Sequence, residues 1–435
     1  MAKHLHEIRD PIHGFIRVDS QERKILDSRP FQRLRHIHQL AMTYLLYPGA
    51  THRRFEHSLG VMELAGRVFD IVTREDNCTD AARAVIPVND LPYWRRVVRM
   101  AALCHDIGHL PFSHAAEKEL LPKGWSHERI TDELVRSSDM AQRWKDIKVQ
   151  PEDVAKLALG PKEFGPKKHR TVEYSPWESI LAEIIVGDAF GVDRMDYLLR
   201  DSHHAGVAYG RFDHFRLIDT LRILPKPGSD APTLGCEEGG LHSVEALLLA
   251  RYFMYTQLYF HPVRRIYDYH LKEFLKAWLP AGRFSTKLAK HLAMTDNEVT
   301  SAILAAAHAR RCPGQDHARR IVERDHYRLL YERNPEDVAV NPAAAESVAS
   351  AARVKFGEAT VHYFSYKEKN RRLEFPVRYH DGRVVSCLLA SDVLNHIPEV
   401  SVEFVFIAPE SRPEAEAWLK AERARIIVPS QEDAE

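Results

Sequence analysis

The chain has 435 residues, 45% hydrophobic and 28% charged, enough for one large core or two to three modules of an ordinary globular protein. Its 61 Lys and Arg balance 61 Asp and Glu, so no net charge marks a nucleic-acid or anionic-membrane footprint. No run approaches the roughly 20 apolar residues of a membrane span, the charged start lacks an apolar signal segment, and the five scattered cysteines include no CxxC pair; a cytoplasmic protein with free thiols is expected.

Residues 1–20 read as an extended lead-in, with "DPIHG" as a turn between "HEI" and "FIRV". From about 21 to 280, apolar residues recur at three- and four-residue spacing, which predicts helices over 31–46, 58–74, 94–109, 178–187 and 244–260. Residues 160–170 read as a polar loop and 224–240 as turns or a short hairpin. Thr295 with Glu298 makes a capping box that opens a helix, and helix continues to about 356. "LEFPVRYHDGRVVSCLLA" (373–390) reads as two strands around Asp381–Gly382, 401–409 as a further strand, and 412–425 as a closing helix with a proline near its start. The fold class is mainly α: a helical body over 1–285 and a smaller α+β lobe over 286–435.

"ALCHDIGHLPFSH" (102–114) carries the chemistry. Ala102, Leu103, Cys104, Ile107 and Leu110 are core residues, yet His105, Asp106, His109 and His114 stand among them. An unpaired buried charge costs several kcal/mol, so something must satisfy them. Neighbours on a helix point about 100° apart, and both reach one atom only at the helix edge. A divalent metal there would neutralise the carboxylate and take two further ligands. His57 in "HRRFEHSLGV" is one candidate. Asp193 in "GVDRMDYLLRDSHHAGV" is another, on a stripe with Tyr197, Asp201 and His204. Taken singly, each piece is better explained as a hydrogen-bonded core histidine, a helix cap or a solvated helix start; the ordered combination favours a metal.

That order, His57, His105–Asp106, Asp193, resembles the metal-ligand order of the HD-domain phosphohydrolases. "DPIHG", "FQRLRHIHQL", "YPGATHRRFEHSLGV", "CHDIGHLPFSH", "WSHE" and "VDRMDYLLRDSHH" closely resemble the dNTP triphosphohydrolase branch, over residues 8–275 and faintly again over 385–408. The resemblance implies an HD core at about 50–205, without the SAM domain of the vertebrate members. It implies a divalent metal (Mn, Mg, Fe, Zn or Co) on His57, His105, Asp106 and Asp193, and cleavage of a dNTP into deoxynucleoside and triphosphate. His114 and Glu117, standing where several members have Asp, would form the His–acid dyad beside the α-phosphate, and His109 and His127 would contact phosphate or act in proton transfer. Arg54 and Arg194 would hold the triphosphate, Arg194 replacing the Lys of some relatives.

Gln39, Tyr197 and Asp201 match contacts to the 3′-OH, and Leu40 and Tyr259 match the pair that crowds C2′ against ribonucleotides. Asp27, Gln32 and Arg35 fall on guanine-reading positions of an activator site at subunit contacts, near one face of a helix, whereas His6, Arg9, Phe260 and Pro262 depart from the vertebrate pattern. The implied partners are a dNTP, a guanine nucleotide and further copies of the chain in a dimer or tetramer. No membrane partner is expected, and nucleic acid is not indicated. Two alternatives use the same residues: a phosphodiesterase or single-strand nuclease, and a catalytically silent nucleotide sensor. The 3′-OH set argues against a continuing strand, and the complete metal set argues against the sensor.

Overall fold

The computed structural model describes residues 5–113, 117–164, 168–368 and 373–428. His114 lies outside the described residues. Contacts divide the chain into two units: Met1–Met254, Arg283–Val299 and Arg372–Ile397 form the first; Tyr255–Gly282, Thr300–Arg371 and Pro398–Glu435 form the second. The division is interleaved, unlike the single cut expected at 285. Its cause is pairing: strand Pro376–Arg378 of the expected hairpin runs parallel to strand Pro232–Glu237, with Cys236 opposite Val377, and Val384–Ser386 follows antiparallel. With Leu221–Pro225 they make a four-stranded sheet.

In the first unit, β1 (Leu5–Asp10) and β2 (Gly14–Asp19) form an antiparallel hairpin. Gly14 takes φ +76°, where a side chain would be strained. The helical core is built around α1 (Arg54–Val72), which packs on α2 (Leu91–Cys104) and on α4 (Val192–Ala205). Val61, Met62, Leu64, Ala65 and Val68 of α1 are fully buried, as are Val97, Val98, Met100 and Ala101 of α2. Helix α3 (His127–Val135) starts at an Ser126 cap whose side chain accepts from the Arg129 N–H. No helix among the described residues is long and apolar enough to cross a membrane.

Over residues 31–46 and 94–109 the helices differ from those expected. Residues 31–46 are not one helix: Arg29–Gln32 is followed by a 3₁₀ turn at Arg33–His36, an isolated bridge of His38 to Arg53, and Ala41 at φ +49°. Tertiary bonds replace the helical ones there. The Asp296 carboxylate accepts from the His38 N–H at 2.7 Å and binds the His38 ring, while the Gln39 N–H donates to the His52 carbonyl. The 94–109 helix ends earlier, at Cys104. Past it, Gly108 lies so close to α3 that a Cβ would meet the Thr131 nitrogen at 2.5 Å and the His127 carbonyl.

The second unit holds a three-stranded antiparallel sheet with Ser401–Ile407 between Arg328–Glu332 and Val361–Lys367. Arg328–Glu332 interrupts the helix expected to reach 356. Helices Ala344–Phe356 and Arg412–Ile427 cover one core, formed by Val348, Ala352, Val405, Ile407, Ala415 and Leu419. The Thr295–Glu298 cap forms as expected, the Thr295 N–H donating to Glu298 at 2.6 Å, and the helix runs Asp296–His308.

Candidate metal centre

Three elements of the first unit converge. His57 comes from the first turn of α1, His105 and Asp106 from the chain leaving α2, and Asp193 from the first turn of α4. His57 Nε2 lies 3.1 Å from Asp193 Oδ1 and 3.7 Å from Asp106 Oδ2. His105 Nε2 lies 3.3 Å from Asp106 Oδ1 and 3.5 Å from Asp193 Oδ1. The ligand atoms of His57, His105 and Asp106 all fall within 4.8 Å of one another.

The tautomers are set from behind. His105 Nδ1 donates to the Ala102 carbonyl at 2.8 Å, so its Nε2, buried and without a hydrogen bond, turns a lone pair to the centre. His57 Nδ1 donates to Asp196 Oδ2 at 2.8 Å, which leaves its Nε2 facing the centre and Asp193. Arg54 pairs with Asp106 and donates to Ser113 Oγ; Arg200 bridges Asp10 and Asp196. In this bonded set, counted with Asp193, four carboxylates face two guanidiniums. The surplus of two negative charges matches one divalent cation, and two imidazole nitrogens with two carboxylates form a borderline-hard donor set that suits several such ions.

The electrostatics agree. Burial opposes charge on His57, but Asp193 and Asp196 outweigh it and push its pKa up to about 10. His105 is raised too, against burial, by Asp106 and Asp193. Asp106 is held well below the usual carboxylate range, against burial, by His105 and Arg54. Both imidazoles thus sit where negative charge gathers, the environment in which a cation would be held.

Beside this centre stand the other expected catalytic residues. His109 Nε2 reaches Asp106 Oδ1 at 3.1 Å, and its ring stacks on His127 at 3.9 Å. Glu117 accepts from the backbone N–H of His127 at 2.6 Å and engages its Nδ1 at 2.8 Å. Burial and Arg54 push the His109 pKa well down, whereas Glu117, overcoming burial, pushes that of His127 up.

The substrate candidates are placed as follows. Asp201 is buried and accepts from His52 Nε2 at 2.7 Å, and His52 stacks on His204. Tyr197 lies between Asp193 and Asp201 on α4. Arg194 has two buried guanidinium nitrogens without a hydrogen bond, and Gln39 has a buried side-chain oxygen without one. Leu40 is buried. Tyr259 belongs to the second unit, on the π-helical turn Tyr255–Tyr259, edge-on to Tyr255.

Contrary to the expectation of one shared helix, Asp27, Gln32 and Arg35 lie on separate elements. Asp27 ends helix Ser20–Leu26 and pairs with Arg23, and extended backbone at Ser28 separates that helix from Arg29–Gln32. Arg35 still donates to Gln32 at 2.8 Å and lies over the Phe55 ring. The sequence reading missed His13, Asp10, Asp196 and Arg200. Its available signal was the Asp196–Arg200 pair at four-residue spacing, one turn from Asp193.

Residues 54–201 match the HD domain and residues 212–359 the HD associated region. The chain carries an HD domain followed by an HD associated region. HD domains depend on divalent metal. An uncharacterised protein of Methanocaldococcus jannaschii is 34% identical over 265 residues, 61% of this chain and 48% of its own length. The deoxynucleoside triphosphate triphosphohydrolase SAMHD1 of Bos taurus is 32% identical over 292 residues, 62% of this chain and 47% of that protein. The chain thus spans about half the length of the curated relatives it matches. A hypothetical protein from Aquifex aeolicus superposes with TM-score 0.78 at 30% identity, covering 95% of this chain and all of that one.

Proposed function

We propose that this HD-domain chain is a divalent-metal-dependent hydrolase that cleaves a dNTP into deoxynucleoside and inorganic triphosphate. The observation that carries the reading is the convergence of His57, His105, Asp106 and Asp193, with the Nε2 atoms of both imidazoles and the two carboxylates facing one point. Similarity to the triphosphohydrolases supports the substrate class. A bound divalent ion would lower the pKa of water toward about 7 and polarise a phosphoryl oxygen.

The chain's own residues supply the rest. Water adds to the α-phosphorus, the bond from phosphorus to O5′ breaks, and the departing O5′ takes a proton. Among the described residues His127 is suited to hold that proton, because Glu117 engages its Nδ1 and favours the charged ring. His114 is the alternative donor. Arg194, with two unengaged buried nitrogens, would bind triphosphate oxygens; Gln39, Tyr197 and Asp201 would hold the 3′-OH, and Leu40 would crowd a 2′-OH. Guanine nucleotide would bind near Asp27, Gln32 and Arg35 and promote assembly of a dimer or tetramer.

The purified chain should convert each dNTP, with Mn²⁺ or Mg²⁺, to deoxynucleoside and triphosphate in equal amounts. Release of pyrophosphate or orthophosphate instead, or no turnover, would refute the assignment. Sedimentation with and without GTP tests the activator.

A further inference from the structure

The turn motif "DPIHG" has so far no part in the chemistry, yet it reaches the back of the metal centre. His13, at the β1–β2 turn, donates from Nε2 to Asp196 Oδ1 at 2.6 Å, 183 positions away in sequence. Asp196 Oδ2 receives His57 Nδ1 at 2.8 Å. Arg200 fills the remaining positions, its Nε on Oδ2 at 2.8 Å and its Nη2 on Oδ1 at 2.9 Å. Four donors thus saturate one carboxylate, which has about four acceptor positions.

The hairpin anchors the other side. Asp10 Oδ1 accepts from the backbone N–H groups of Ile12 and His13, each at 2.9 Å, and Asp10 Oδ2 accepts from Arg200 Nη1 at 2.9 Å. His13, Asp196 and Arg200 are buried with no exposed side-chain surface. A carboxylate held this way cannot rotate, and it fixes both the tautomer and the plane of the imidazole it receives.

We propose that His13 and Asp196 are positioning residues for the metal ligand His57, so that the N-terminal hairpin belongs to the metal centre without touching the metal. The proposal rests on the metal-centre reading. Its test is Co²⁺ binding by the metal-stripped full chain, followed by visible absorption and titration calorimetry, with far-UV circular dichroism to confirm folding. Asp196→Asn keeps an acceptor for His57 but removes the charge and mismatches the two donors on Oδ1; it should weaken Co²⁺ binding about 10–100-fold and alter the Co²⁺ spectrum. His13→Ala should weaken binding by a smaller factor, and His13→Gln, which restores an N–H donor, should recover part of it.

Co²⁺ affinity and spectrum unchanged in folded Asp196→Asn and His13→Ala would overturn the clamp. If Asp196→Asn does not fold, the His13 pair decides alone: unchanged binding in both overturns the proposal, and loss with partial recovery supports it. Failure of the unaltered chain to bind Co²⁺ would instead overturn the metal centre itself.

Discussion

Gly60→Ala should destabilise the protein, although a glycine-to-alanine change inside a helix ordinarily stabilises it by about 1 kcal/mol. Gly60 sits in α1 facing the Asp196–Arg200 pair. A Cβ there would lie 2.7 Å from Asp196 Cγ and 2.5 Å from Arg200 Nη2, and closer still to Asp196 Oδ1, against ordinary contacts of 3.4 Å or more. The carboxylate must therefore retreat by about 0.7 Å at its carbon and further at Oδ1. It cannot do so freely, because it accepts four bonds of 2.6–2.9 Å. Losing the two bonds on Oδ1, at about 1.5–3 kcal/mol each for charge-assisted bonds, costs about 3–6 kcal/mol. After the helix gain, a net loss of about 2–5 kcal/mol remains.

Gly66, two turns on in the same helix, is the control. Its Cβ would meet Arg99 Nη1 at 2.8 Å and Cδ at 3.3 Å; Arg99 is itself held by Glu22 and the Arg17 carbonyl, but the overlap is smaller, so Gly66→Ala should cost less than Gly60→Ala. Urea unfolding followed by circular dichroism, with metal chelated, measures both. A Gly60→Ala variant as stable as the parent, or no less stable than Gly66→Ala, would refute the packing argument.

His105→Ala and Asp106→Ala should each remove bound metal and abolish turnover while the far-UV spectrum stays helical; full metal content with normal turnover in either would remove them from the centre. His127→Ala should lower turnover about 10²–10⁴-fold with metal retained, whereas His114→Ala should do so only if His114 is the proton donor, so paired single-turnover assays separate them. His270, fully buried in the second unit, has its pKa pushed down to about 2 by burial and by His317, against about 6.5 when unfolded. The unfolded chain then binds the extra proton. Stability should be complete above about pH 6.5 and fall toward acid by about 1.4 kcal/mol per pH unit from this group, and His270→Gln should flatten that slope in urea titrations run from pH 7 to 4.

The four metal candidates were legible because each sits in a short motif whose polar residues contradict an apolar helical pattern. The same local logic supported the β1–β2 turn, the Thr295–Glu298 cap and the Ser401–Ile407 strand, all governed by residues a few positions apart. Where distant partners decide, local pattern misleads. Asp296 supplies hydrogen bonds to His38 from 258 positions away, and the apolar spacing of 31–46 cannot register that its helix is displaced. Strand Pro376–Arg378 has the same local pattern whether it pairs with its hairpin neighbour alone or also with Pro232–Glu237.

Asp196 shows the division at one residue. In sequence it is a polar position one turn after a metal candidate, with Arg200 the obvious partner. Only the fold brings His13 to one oxygen and His57 to the other, because that requires the hairpin, α1 and α4 to meet across a glycine. Sequence by itself determined which residues could bind a metal, since that is a property of side-chain chemistry and short spacing. Tertiary structure decided which nitrogen of each imidazole faces the centre, since a tautomer is set by the hydrogen bond on the opposite side of the ring.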